Sequence, residues 1–187
     1  MSERADGRRT DTRERIRATA LEMFTTQGYE RTTLAEVADR LAITRPAVYH
    51  HFRSKEDVLA SSYGEVLPEL AELAESLQPE PAPWHRRSEA LDRFAALLRG
   101  KHGALLVCAR VNEHALAGRP AAAELLHHLD ALTRALAPAT DIDGRMRARL
   151  ALSALVMAEA RGAQLGGTAE QRATAALALA RELLNRK

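Results

Sequence analysis

TRPAVYHHFRSK, residues 44–55, reads as a short helix with both ends marked. Thr44 is placed to cap the N-terminus through its hydroxyl, and Pro46 falls in the first turn, where a missing N–H costs nothing. Val48 and Phe52 are four residues apart and share one face, so they predict the buried side. Arg45, Ala47, Tyr49, His50 and His51 are left to the other faces. Ser54, three residues before Asp57, predicts the cap of a new helix with Lys55 in its first turn. A short helix anchored by two apolar residues and showing Arg, Tyr and His outward is suited to lie against a polar surface such as the major groove of DNA.

The segments before it agree. Thr33 and Glu36 form a capping-box pattern, and Leu34, Val37, Ala38 and Leu41 supply the stripe of a short helix. Ala42 and Ile43 then make a tight connection to Thr44. Upstream, Ile16, Ala20, Met23 and Phe24 mark a longer helix that starts at Asp11 and stops at Gly28. A long helix covering two short, closely joined ones predicts a helix-turn-helix over residues 33–52, within a domain spanning 11–60. Residues 1–10 carry Arg4, Arg8 and Arg9 without a large apolar residue, and are expected to form a flexible arm.

Composition bounds the rest. Of 187 residues, 46% are apolar and 28% charged, while aromatics are only 4%, so an all-α globular protein is expected. One cysteine, Cys108, excludes an internal disulfide and suits a reducing compartment. No apolar run is long enough to span a bilayer and the N-terminus lacks an apolar leader pattern, so the expected location is cytoplasmic, with no membrane partner. Net charge is +2, unevenly placed: residues 1–55 hold eleven Lys or Arg against eight Asp or Glu, the remainder sixteen against seventeen. A basic N-terminal domain is a modest sign of nucleic acid.

Residues 61–187 predict a larger helical domain, giving about nine helices in all. Helix 4 is expected from Lys55 towards Leu77, interrupted between Gly64 and Pro68. A proline connector at Pro79, Pro81 and Pro83 leads to helix 5, Trp84–Arg99. Helix 6 is expected from Ala104 to Leu116 and helix 7 from Pro120 to Ala137. Helices 8 and 9 are expected at about 141–165 and 168–186, with Thr168 and Gln171 as a capping box. Helix 8 is apolar over a wide arc, with Met146, Leu150 and Met157 on one side and Leu152, Leu155 and Val156 widening the coverage. Such a helix needs neighbours on two sides, either a symmetry mate or the centre of a monomer core.

The run TTLAEVADRLAITRPAVYHHFRSKEDVL, residues 32–59, resembles the DNA-binding signature of TetR-family transcriptional repressors. The resemblance covers about residues 9–60, and its most specific part is the YHHF and SKE tail. It implies a homodimer paired through helices 8 and 9, a double-stranded, pseudopalindromic DNA operator, and a small-molecule effector held by the second domain. It also implies that Tyr49 bonds a phosphate and that His50 and His51 touch phosphates or base edges. Arg45 has three readings, as a donor to guanine O6 and N7, as a phosphate contact, or as a solvated side chain. Pro46 and Ala47 either touch a thymine methyl or only form the turn. Thr33 and Lys55 are expected to clamp phosphates on either side.

The second domain carries no motif. Trp84, His102, Cys108, Asn112, His114, Met157, Glu159 and Arg161 are its polar or adaptable residues among aliphatics. They are candidates to line a pocket for a hydrophobic or amphipathic molecule, or ordinary core and surface. An enzyme is the first rival reading. Glu124 and His127 have the Glu-x-x-His spacing of di-iron bundles, but that chemistry needs two such motifs and two more carboxylates. His102, Cys108 and His114 turn to different sides of a helix and make no metal site, so neither metal nor cofactor is expected. The second rival is a helical protein-interaction module. In a regulator the movement between domains is expected at Gly64 to Pro68.

Overall fold

The structure is a computed structural model that describes residues 3–64, 66–160 and 165–185. All regular elements among these residues are helices, eleven in number rather than nine: α1 Glu3–Gln27, α2 Leu34–Leu41, α3 Arg45–His51, α4 Lys55–Tyr63, α5 Val66–Glu75, α6 Trp84–Arg99, α7 Gly103–Val111, α8 Glu113–Leu116, α9 Pro120–Leu136, α10 Ile142–Glu159 and α11 Ala169–Asn185. None of them is long and apolar enough to cross a membrane.

The N-terminal elements follow from local chemistry. Ile16, Ala20, Met23 and Phe24 of α1 are buried against Leu34, Val37 and Ala38 of α2 and Val48 and Phe52 at α3. Thr33 caps α2 reciprocally with Glu36, and Thr44 accepts the amide of Ala47 at the start of α3. Ser54 accepts the amide of Asp57 at the start of α4. Ala42, between α2 and α3, takes the left-handed conformation, φ 54°, at a cost of about 1 kcal/mol for a residue with a Cβ. The amides of Ala42 and Ile43 close that turn onto carbonyls of α2, Ala42 onto Asp39 and Ile43 onto Ala38.

Three expectations are corrected. The arm expected at residues 1–10 is helical from Glu3, because Glu3, Arg4, Ala5, Arg8 and Arg9 all favour helix. Gly7 opposes by only about 1 kcal/mol, so a helix nucleated downstream extends back through them. The interruption expected in helix 4 is present as a division, with α4 ending at Tyr63 and α5 beginning at Val66, and Pro68 lies in the first turn of α5 where it is tolerated. The expected helix 6 is also divided, at Asn112, and the expected helix 8 ends early, at Glu159.

Asn112 explains its own break. Its side-chain amide donates to the carbonyls of Phe24, at 2.9 Å, and Cys108, at 3.0 Å, while its oxygen accepts the backbone N–H of Tyr29 at 2.8 Å. An asparagine that serves three backbone groups at once takes the φ and ψ those bonds require, here −102° and 16°, rather than those of a helix. The bonds tie the end of α1 to the joint between α7 and α8. Gly103, just before, allows the tight turn from α6, since a Cβ there would meet the Leu98 carbonyl oxygen at 1.8 Å.

A second tie lies beside it. The Tyr29 hydroxyl donates to Glu56 at 2.8 Å, and Arg119, at the N-terminus of α9, pairs with Glu56 at 3.2 Å and with Glu30. The helix-turn-helix is thereby held to the larger domain by α1 on α7 and α4 on α9, in addition to the chain itself. Burial alone would raise the pKa of Glu56, but hydrogen bonds from the Tyr29 hydroxyl, its own backbone N–H and Ser54, with the Arg119 charge, outweigh it and hold the carboxyl below its ordinary value.

Asn112→Ala orphans the Tyr29 N–H and the Phe24 carbonyl in a buried site. It is expected to lower stability by about 2–4 kcal/mol, measured by urea unfolding of the whole chain. An unchanged midpoint would remove Asn112 from this role.

Candidate DNA interface and effector cavity

Helix α3 is seven residues long and is held by one side. Val48 and Phe52 are fully buried, and the Arg13 guanidinium lies 4.8 Å over the Phe52 ring. The opposite side is open: Thr44, Arg45, Pro46, Tyr49 and His50 are exposed, and Ala47 and His51 are half-buried. Among the described residues Arg45 makes a long contact to Asp39, 3.8 Å, between two largely exposed side chains, which costs little to exchange for another partner. The rings of His50 and His51 meet edge to face at 5.4 Å, so the two histidines turn to different sides of the helix end.

The flanking positions are more occupied than their sequence suggests. Thr33 stands exposed at the N-terminus of α2, but its backbone N–H donates to Glu36 at 2.7 Å and its hydroxyl does so at 2.8 Å. These bonds hold the Glu36 carboxyl below its ordinary pKa, and the carboxylate takes the place an anion would take at this helix end. Lys55 reaches back to the loop after α1, donating to the Tyr29 carbonyl at 2.6 Å and the Glu30 carbonyl at 3.4 Å, with its ammonium 4.4 Å from the Tyr29 ring centre. A half-buried lysine so placed braces the domain, and any phosphate it holds shares it with these carbonyls.

The second-domain candidates are not gathered around one pocket. Asn112 is the clasp described above. Cys108 is buried beside it, and burial pushes its thiol up to about 12, leaving it inert at neutral pH. His102 is buried and pairs with Glu69 of α5 at 3.1 Å. Trp84 is half-buried with the Arg87 guanidinium 5.9 Å from its ring, His114 is exposed, and Met157 is exposed on the outer face of α10. Glu159 lies at the edge of separate hollows near α1 and α11, and Arg161 lies outside the described residues. Among the described residues no group of three His, Cys, Asp or Glu is arranged to hold a metal ion.

A cavity of about 230 Å³ in the second domain lies among α6, α7, α8, α9 and α10. Phe94, Leu106, Leu126, Leu129, Leu152 and Val156 form its apolar walls. Its polar end is an ion cluster: Glu113 is held by Arg110 and by Arg149, and Arg110 also donates to the Ser153 hydroxyl at 2.6 Å. Sequence reasoning missed this cluster. Arg110 and Glu113, three apart, carry the local signal of an ion pair, but nothing local announces Arg149 from 36 positions away.

One face of the α10–α11 pair is apolar and uncovered. Ile142, Met146, Leu150 and Met157 are exposed along one side of α10, and Leu179 of α11 and Leu165 before it are exposed as well. The spacing of four, four and seven keeps the α10 residues on one stripe.

Residues 16–61 match the family model described as bacterial regulatory proteins, tetR family. Among curated relatives, the HTH-type transcriptional regulator SrpR of Pseudomonas putida is 41% identical over 32% of this chain and 28% of its own length. AcrR of Shigella flexneri is 38% identical over 35% of this chain and 27% of its own. These alignments span less than a third of either relative. The HTH-type transcriptional regulator TtgR, also of Pseudomonas putida, is 28% identical over 76% of this chain and 81% of its own. Among solved structures, the TetR family transcriptional regulator PfmR from Thermus thermophilus superposes with a TM-score of 0.52 at 25% identity, covering 91% of this chain and 99% of that one. The helix-turn-helix built as described is therefore of the kind that the tetR family model describes, and the remaining helices are arranged as in that structure.

Proposed function

We propose that this protein is a ligand-responsive transcriptional repressor, working in the cytoplasm, that binds a pseudopalindromic operator as a homodimer and is released by a small amphipathic effector. The observation that carries the reading is the two-sided construction of α3: Val48 and Phe52 fixed in the core, Arg45, Tyr49 and His50 standing in solvent. A helix so rigidly seated holds its outward side chains within hydrogen-bond tolerance of base edges. Arg45 at its N-terminal end reads a guanine, Tyr49 and His50 meet phosphates or base edges, and Thr33, Thr44, His51 and Lys55 border the contact with the backbone. Pro46 and Ala47 keep the helix start free of bulk, so that it can enter the groove.

Dimerisation is supported by the uncovered stripe of α10 and α11. Four large side chains on one face of α10 are an unusual exposure for a monomer, and pairing with a second copy buries them all. The two recognition helices then address two half-sites, and their separation is set by how the α10–α11 pairs meet.

Effector control follows from the ties between the domains. The joint that carries Asn112 lies directly beside Arg110 and Glu113 of the cavity, and Asn112 holds the end of α1. An effector that binds one position of this joint more tightly than the other shifts the population of head spacings, and so the affinity for DNA. The division of α4 from α5 gives the heads room to follow.

Two experiments test these assignments. In gel-shift titrations with DNA from upstream of its own gene, Arg45→Ala is expected to lose about 1–3 kcal/mol of discrimination at one base pair of each half-site. Lys55→Ala is expected to weaken all sequences alike and to lower the salt slope by roughly one unit per protomer. Specificity unchanged by Arg45→Ala assigns base reading elsewhere. Replacing Leu150 and Met157 together by Glu is expected to raise the dimer dissociation constant about 100-fold or more, read by light scattering on the eluting species. A variant that still runs as a dimer would place the interface on another face.

A further inference from the structure

The polar end of the cavity is not neutral. Glu113 uses both carboxylate oxygens, one on Arg110 and one on Arg149, so two guanidinium charges face one carboxylate. The other carboxylate at the rim, Asp130, is engaged by Arg134 at 2.8 Å. Arg110 is committed at both terminal nitrogens, to Glu113 and to Ser153, whereas Arg149 commits only Nη2. Among the described residues the cluster therefore carries one uncompensated positive charge, and its donors with spare capacity are on Arg149.

Burial bears most on Arg110. Burial, and then the charge of Arg149, push the Arg110 guanidinium below its ordinary value, more than Glu113 raises it. Burial would raise the pKa of Glu113, but the two arginines outweigh it and hold the group ionised. A cation entering here would have to take Glu113 from two arginines. An anion would complete the charge balance while its body replaced water against Phe94, Leu106, Leu129 and Val156.

Resting on the reading of the second domain as the effector domain, we propose that this cavity takes a small amphipathic organic anion. Its acidic group lies on Arg149 beside Glu113, and its apolar body lies between α6, α7 and α9. The volume of about 230 Å³ is below the roughly 300–1,000 Å³ of sites for drug-sized molecules, so the ligand is of the size of one ring with a short acidic side chain. Binding at Arg149 tightens α10 onto the α7–α8 joint through Glu113, the residue that follows Asn112 in the chain. The ligand's charge thus reaches the clasp on α1 through one residue.

Three probes with the same ring and chain length separate the alternatives: 3-phenylpropionate, its neutral amide and the cationic 3-phenylpropylamine. Calorimetric titration and thermal unfolding of the full-length protein are expected to show binding by the carboxylate at up to millimolar concentration, weaker binding by the amide and none by the amine. Arg149→Gln is expected to weaken the carboxylate about tenfold or more, and Arg149→Lys to restore part of the loss, with unfolding midpoints showing that both variants are folded. Equal binding of acid and amide, preference for the amine, full affinity in Arg149→Gln, or no binding by any probe would each overturn the assignment. Operator gel shifts with the same preparation keep the outcomes apart. Loss of anion binding with specific DNA binding intact strikes only the ligand class, whereas anion binding without specific DNA binding strikes the regulator reading.

Discussion

Asn112 sits where the two halves of the molecule meet, and its one side chain satisfies backbone groups on both. The carbonyl of Phe24 belongs to the end of α1 and the N–H of Tyr29 to the loop after it, and the carbonyl of Cys108 belongs to α7. Buried backbone groups must find partners, and here those partners come from the other domain. The helix-turn-helix is therefore not a free head on a tether. Its longest helix ends in a socket built by the larger domain, and the division of α7 from α8 is the local consequence of filling that socket.

Around this contact the charges form two clusters. Arg119 bridges Glu56 and Glu30 on the side of the helix-turn-helix, and Arg110 and Arg149 share Glu113 on the cavity side, with Asn112 adjacent to Glu113 in the chain. Salt bridges of this kind contribute little to stability where they are half exposed. Their value here is geometric, since Arg119 with Glu56 and Arg149 with Glu113 each fix the relative position of two helices that have no covalent connection nearby. A ligand that alters the cavity cluster acts on the same short segment that positions α1 and α9.

The N-terminal third was legible because its determinants are local. Thr33 and Glu36, Thr44 and Ala47, and Ser54 and Asp57 each interact three residues apart, so the caps of α2, α3 and α4 could be placed to the residue. Beyond α4 the decisive contacts are distant. Tyr29 and Asn112 are 83 positions apart, and Glu113 and Arg149 are 36 apart, so a periodicity reading carries an unbroken helix through Asn112 and sees no cavity. It also offered Lys55 as a purely outward clamp, whereas the carbonyls that hold it belong to a loop 25 residues earlier. The apolar width of helices 8 and 9 was visible, but only the fold distinguishes the side of α10 that faces the cavity, Leu152 and Val156, from the side left open, Met146, Leu150 and Met157.

The central claim is that two rigidly seated α3 helices, fixed at one separation by paired α10–α11 faces, read the operator together. Its most direct measurement is affinity for the natural operator against the same operator with about five base pairs inserted between the half-sites, which moves one half-site to the opposite face of the duplex. The account predicts that the insertion reduces binding to the level of unrelated DNA, because one dimer can no longer engage both sites. Equal affinity for the two operators would contradict it, since each head would then be reading its site alone.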